Sequence, residues 1–353
     1  MNNSTAKAVV TLGLLGLVSA CGLEKRNADA GSTADSYTVF VASGFPTAGS
    51  AGVVSEWSPS GSFIRIIRDY ASSGGFFPQS LDLINVSGTK QLLSLAFNGT
   101  AGRVDKMDLD GQDYVVHIDN ATAMAAGTRR LDMMNSGALL VARTAGVEQF
   151  NSAGQRVGAA ARFAAAAPCI ASAILDSESV EIAGVPFVIN INALAGANNL
   201  RLQLYNGTTA ACVSSPTTQP GPGGLVMWPV ALDYNAALQK LFVLYYPFTG
   251  ATTNAQIWSY TVTATAFTTP TLVYSDTSGD IAIISATPNT GSGDIAVFSD
   301  ASESFILVGT TFNSVIRLNL DKSTGLATKV PGAPLIYNSV FSRNVSSVLV
   351  VPK

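Results

Sequence analysis

Apolar and polar positions alternate along most of this chain, and the alternation comes in repeated units. One element recurs: an apolar residue opens a short alternating stretch, and a glycine follows seven residues later. It runs Val54-Ser-Glu-Trp-Ser-Pro-Ser-Gly61, then Val104-Asp-Lys-Met-Asp-Leu-Asp-Gly111, Val147-Glu-Gln-Phe-Asn-Ser-Ala-Gly154 and Leu200-Arg-Leu-Gln-Leu-Tyr-Asn-Gly207. Two looser copies open at Ile257 and Val315; the first lacks the glycine and the second delays it to Gly325. The six openings are 43 to 58 residues apart. Period-2 alternation ending in a glycine turn predicts a strand and hairpin. Before each copy lies a nearly continuous apolar run, at 37–41, 92–97, 138–142, 187–191, 241–245 and 305–308. Runs of that length suit strands covered on both faces.

A further strand precedes that run and often closes on Leu-Asp: Leu81-Asp82, Leu131-Asp132, Leu175-Asp176 and Leu232-Asp233. A fourth follows the glycine turn, as at 63–67 and 114–118. Four strands repeated at roughly 40–50 residues describe the blade of a β-propeller. Residues 36–353 divide into six units of 53, so the expected fold is all-β: six four-stranded blades. No first strand precedes Tyr37, and 348–351 is left over at the end. The C-terminal strand is therefore expected to close blade one, which removes an open edge. Pro334-Leu-Ile-Tyr337 is expected as the last blade's fourth strand. The Ala-rich stretch 159–175 fits the pattern badly and reads as a short helix. The order Leu-Asp, apolar strand, alternating strand, glycine turn, clearest over Leu131–Gly154, resembles NHL-type six-bladed propeller repeats. That resemblance covers most of the chain and implies a fold; such rings host enzymes, binding modules and scaffolds alike.

The first 20 residues have a different pattern. Lys7 precedes an apolar stretch, 8–20, and no acid appears before Cys21. Thirteen residues are too few to span a bilayer, which takes roughly 20, and suit the core of an export signal. Val18-Ser19-Ala20-Cys21 resembles the bacterial lipobox, which implies cleavage before Cys21 and acylation of its thiol. Residues 1–20 then form the signal peptide, 21–35 the lipidated cysteine and a polar tether, and 36–353 the propeller. Acyl chains contribute about 0.8 kcal/mol per buried methylene, enough in multiple for a firm membrane anchor. By the sorting rule of such lipoproteins, Gly22 after the cysteine implies the outer membrane of the cell envelope. If Cys21 is acylated, Cys169 and Cys212 remain, either as a disulfide in an oxidising compartment or as two buried thiols.

Charged residues make up only 12% of the chain and the net charge is −3, which gives no basic stripe for nucleic acid. Catalytic chemistry is thinly supplied. His117 is the sole histidine, in a predicted outermost strand; no nucleophile elbow occurs, and Ser87-Gly-Thr-Lys90 lies in a turn. Asp108-Leu-Asp-Gly-Gln-Asp113 has calcium-loop character but holds the same place as the other glycine hairpins. The Leu-Asp aspartates read as caps on a turn at the end of the first strand. No metal or other cofactor is therefore expected, with calcium the one low-ranking exception. A partner would meet the loops of one face, where Phe45, Phe76, Phe77, Arg129, Trp228 and Phe248 are the candidate contacts. The sequence favours a lipid-anchored binding or scaffold protein for an envelope protein or extracellular polymer. A calcium-dependent propeller lactonase or lyase is the alternative.

Overall fold

The computed structural model describes residues 36–44, 52–119, 128–193, 200–214, 227–247, 254–281, 293–337 and 344–353, with omissions at 72, 74, 144–145, 159–160, 164–167, 170–172, 269, 312 and 332–333. Every regular element among them is a β-strand, and the strands form six antiparallel sheets. Blade 1 holds β1 (Tyr37–Ser43), β2 (Val53–Trp57) and β3 (Phe63–Asp69). Blade 2 holds β4 (Phe77–Val86), β5 (Thr89–Phe97), β6 (Gly102–Asp108) and β7 (Val115–Ile118). Blade 3 holds β8 (Thr128–Met133), β9 (Leu139–Arg143) and β10 (Gly146–Phe150). Blade 4 holds β11 (Ala173–Ile182), β12 (Val185–Ala193), β13 (Leu200–Asn206) and β14 (Cys212–Ser214). Blade 5 holds β15 (Met227–Asn235), β16 (Lys240–Pro247), β17 (Gln256–Tyr260) and β18 (Thr271–Ser275). Blade 6 holds β19 (Asp294–Ser299), β20 (Ser304–Gly309), β21 (Ser314–Leu320), β22 (Ala327–Lys329) and β23 (Ile336–Tyr337). The last strand, β24 (Val345–Pro352), pairs with β1 and supplies the first strand of blade 1. The molecule is a six-bladed β-propeller closed by strands from both ends of the domain.

The core is divided the same way. Buried apolar side chains fall into six clusters, one in each seam between neighbouring blades. Alternation along a strand sends successive side chains to opposite seams: Leu241, Val243 and Tyr245 of β16 face blade 4, whereas Phe242 and Leu244 face blade 6. The second strands thus read as continuous apolar runs because both their faces are covered.

Two sequence expectations need correcting. The described part of 159–175 contains no helix. Phe163 bridges to Val147 and Arg156 to Phe150, standing in for blade 3's fourth strand, and 173–175 already belong to β11. In blade 6 the fourth strand is split: β22 pairs with Leu318–Leu320, and β23, inside Pro334–Tyr337, pairs with Ser314 and Val315. A proline-containing connector between the two pieces replaces one continuous strand.

The repeat glycines serve the ring as well as their own turns. Gly61, Gly111 and Gly154 have φ of +82°, +86° and +77°. A Cβ on each would lie 1.8, 2.4 and 2.4 Å from the carbonyl oxygens of Leu335, Ile67 and His117 on the preceding blade. Gly88, at φ +87°, has nothing within 4 Å of that position. Gly111→Ala is therefore expected to cost about 2–4 kcal/mol, combining positive-φ strain with overpacking. Gly88→Ala should cost about 1 kcal/mol from strain alone. Urea midpoints of the two variants check this, and equal shifts would remove the inter-blade contact as a cause.

Candidate functional site

In a propeller the first strands surround the axis with one edge unpaired, so their inward N–H and C=O groups need partners. Here each first strand is capped by the one before it. Ser347 Oγ of blade 1 accepts the Leu81 N–H of blade 2 at 3.1 Å, and Ser80 Oγ accepts the Leu131 N–H of blade 3 at 3.2 Å. Asp132 takes the Ser179 N–H of blade 4 at 2.7 Å, and Asp176 the Leu232 N–H of blade 5 at 3.0 Å. Asp233 takes the Val297 N–H of blade 6, and Asp294 returns to Val348 of blade 1 at 2.8 Å. The circuit is complete and runs in one direction. The Leu-Asp aspartates therefore sit within their strands and join neighbouring blades, in place of the turn-capping role their sequence position suggested.

The clasps form two layers because alternate residues point the same way. The upper layer carries Ser347, Ser80, Arg130, Asp176, Ala231 and Asp294. The lower carries Asp82, Asp132, Glu178 and Asp233. Five of the six first strands bulge just above the upper layer, each skipping one residue in its pairing: Gln79, Arg129, Leu175, Val230 and Ser346. A bulge turns its carbonyl out of the ladder. The Arg130 guanidinium collects two of these carbonyls, donating to Gln79 at 3.1 Å and Ser346 at 2.5 Å, and donates also to the carbonyl of Gly293, just before β19, at 2.5 Å. It also lies between Asp176 (3.9 Å) and Asp294 (3.7 Å). One buried arginine thus ties blades 1, 2, 4 and 6 together across the axis.

Burial dominates the lower layer's electrostatics. It raises the Asp132 carboxyl to about 6, against hydrogen bonds from Ser179 that pull it down. It raises Asp233 to about 7, opposed by the Val297 N–H and reinforced by Asp294. Asp176 also rises to about 7 through burial, although Arg130 pulls it down. Asp82 and Glu178 are pushed well up by burial and by the neighbouring carboxylates, Asp132 first among them. Four acids on successive blades, with the nearest cation one layer above, hold protons that isolated carboxylates would release.

The sequence-selected residues scatter around this centre. Phe77 is buried edge-on to Phe97 at 6.0 Å, and Phe76 lies under the Arg103 guanidinium at 4.3 Å. Arg129 is the β8 bulge residue, and Trp228 pairs with Tyr246. Phe45, Phe248 and Cys21 lie outside the described residues. Cys169 and Cys212 are joined as a disulfide, with Cα atoms 5.8 Å apart, fastening the segment after blade 3 to β14. His117 stands half-buried on β7, at the outer edge of blade 2, where burial and then Lys106 lower its pKa. Asp108–Asp113 forms a hairpin: the Gly111 N–H donates to the Asp108 carbonyl and the Gln112 N–H to the Asp110 carboxylate. Among the described residues, no group of three or more acid, histidine or cysteine side chains is placed to share a metal ion.

No protein-family model matches the chain, and no curated protein matches it. Solved structures do resemble it in fold. A chain of a nidogen/laminin complex aligns over 89% of this chain and 98% of its own, with a TM-score of 0.53 and 8% identity. A periplasmic gluconolactonase of Pseudomonas aeruginosa aligns over 89% and 99%, with a TM-score of 0.52 and 12% identity. At these identities the likeness is one of fold alone.

Proposed function

We propose that this chain is a lipid-anchored binding or scaffold propeller of the bacterial cell envelope, attached through Cys21 at the outer membrane. One face of the ring engages an envelope protein or an extracellular polymer. The observation that carries this reading is Arg130. Its guanidinium fills the axial position where an enzyme of this shape would need a vacant, reactive centre, and its donors are committed to backbone carbonyls. The aspartates around it are occupied in holding blade to blade. A rigid ring with a closed axis leaves its loops for recognition. The Cys169–Cys212 pair suits an oxidising compartment.

The lower-layer acids favour a second reading, because perturbed carboxyls mark functional centres elsewhere. The gluconolactonase that shares the fold gives that reading a reaction class, hydrolysis of a lactone, with calcium as the expected metal. The donor set fits calcium poorly: the oxygens accept backbone N–H groups, and a guanidinium lies one layer away. Calorimetric titration of the full chain with calcium separates the two readings. No stoichiometric heat is expected. One-site binding that disappears in Asp132→Asn or Asp233→Asn would overturn the closed-axis argument and direct attention to lactone substrates. For the binding reading, cross-linking of the lipoprotein in intact envelopes should yield adducts that Arg129→Ala and Trp228→Ala weaken. Unchanged adducts would remove those two residues from the contact face.

A further inference from the structure

The six blades repeat the same positions, so a residue that breaks the repeat stands out. Each upper-layer residue has a register partner on the second strand of its blade, and the residue just before that partner faces the preceding blade. In blade order that residue is Val41, Ser94, Val141, Asn190, Val243 and Val308. The four valines are buried in apolar seams. The Ser94 hydroxyl takes a hydrogen bond from Tyr70, at the end of blade 1, at 3.0 Å. Asn190 has neither solution. It is 0% exposed, and neither its amide oxygen nor its amide nitrogen has a hydrogen-bond partner among the described residues.

Other polar groups converge on this seam. Ser177 pairs with Asn190 in register, and Asn190 with Gln203, so three buried polar side chains cross adjacent strands at one level. The Ser177 hydroxyl also lacks a partner among the described residues. From blade 3, Gln149 lies on the side of β10 that carries Val147 into the same seam. Its side-chain nitrogen reaches the Met134 sulfur at 3.4 Å, and its buried side-chain oxygen reaches no partner among the described residues. Burial lifts the Tyr205 phenol to about 12, and the nearby Asn190 amide opposes that rise; the hydroxyl itself donates to Gln203 Oε1 at 2.8 Å. A buried amide without partners is costly, and native proteins satisfy nearly all such groups with protein or ordered water. These groups are neutral and supply both donors and acceptors, which is the chemistry of water. Blade 3 also brings less bulk to its seam: Ala142 stands where blades 2, 4 and 5 carry Leu95, Ile191 and Leu244.

The outer end of the seam is closed without a regular fourth strand from blade 3. Phe163 meets Tyr205 edge-on at 6.1 Å, and the Cys169–Cys212 bond ties the segment after blade 3 to β14. We propose that the seam between blades 3 and 4 encloses a site for ordered water, bound by Asn190, Ser177 and Gln149 and shut from outside by Phe163 and the disulfide. Solvent then joins the polar face of blade 4 to blade 3, where other seams rely on apolar packing or direct bonds. The disulfide falls at the seam that side-chain packing holds least.

The test is a crystal structure of the full chain at a resolution that shows ordered solvent, paired with water relaxation dispersion on the same protein in solution, which counts long-lived internal water. Solvent density is expected within hydrogen-bonding distance of both Asn190 amide atoms. None is expected beside Val243 or Val308, which hold the same place in blades 5 and 6. Asn190→Val copies the residue that four other blades carry there. It should expel the water and lower the dispersion amplitude by at least about one buried molecule. An Asn190 amide bonded directly to protein groups, with no solvent in reach, overturns the proposal. So does density or dispersion amplitude that Asn190→Val leaves unchanged, or a solute other than water on the amide. If the variant fails to fold, the density in the native protein decides alone.

Discussion

Arg130→Met is expected to destabilise the propeller by about 3–5 kcal/mol, the usual consequence of removing one partner from a buried charged network. The substitution preserves much of the side-chain volume, so the loss measures the guanidinium's bonds. Three inward carbonyls lose their donor, and Asp176 and Asp294 lose the cation between them. For a ring of this size the melting temperature should fall by roughly 5–10 °C. Arg130→Lys should recover only part of the loss, because an ammonium cannot span carbonyls from three blades with a planar fork. A variant that melts with the native protein would show that the axis closes without the arginine.

The second large effect is a pH dependence opposite to ordinary acid denaturation. Folded Asp132, Asp176 and Asp233 titrate at about 6, 7 and 7, against 3.8 for an unperturbed aspartate. Between those limits the folded ring binds protons that the unfolded chain releases. Stability is therefore full below the unfolded value and falls as pH rises through 6 to 7. Each pKa unit corresponds to about 1.4 kcal/mol, so the coupled acids together make a difference on the order of several kcal/mol between pH 5 and pH 8. Melting curves should shift upward on acidification to pH 5. Asp233→Asn, which keeps an acceptor for the Val297 N–H without the charge, should flatten the profile. A melting temperature constant or falling from pH 8 to pH 5 would contradict the account. The two effects are linked: Arg130 pulls the Asp176 carboxyl down, so Arg130→Met should steepen the profile.

The blade count, the strand order and the closure by the C-terminal strand were legible because each depends on local pattern. Alternation marks a half-covered strand, a continuous apolar run marks one covered on both faces, and a glycine marks a positive-φ turn. The axial chemistry was only half legible. The recurrence of Leu-Asp is plain in the sequence, but Asp132 finds its partner 47 residues on and Asp176 finds its own 56 residues on. No short-range spacing records such a bond, so local turn chemistry was the nearest explanation at hand. Arg129, a candidate contact in the sequence, is followed directly by Arg130. Deciding which reaches the axis requires the bulge at Arg129, because one extra residue reverses the facing of everything after it. The glycine contacts with preceding blades were hidden for the same reason: the turn already accounts for a glycine at Gly111, and the Ile67 carbonyl belongs to another blade.

The strand exchange in blade 1 sets the order of assembly. The first strand of that blade, β24, follows every other strand of the ring in chain order and is therefore synthesised after them. Until it arrives, β1 keeps an unsatisfied edge, Leu81 has no Ser347 to accept its N–H, and Asp294 has no Val348 to bind. A chain shortened at its end never locks at all and stays open to proteolysis. Residues 345–352 thus act as a completion signal: the ring becomes rigid only once they are in place.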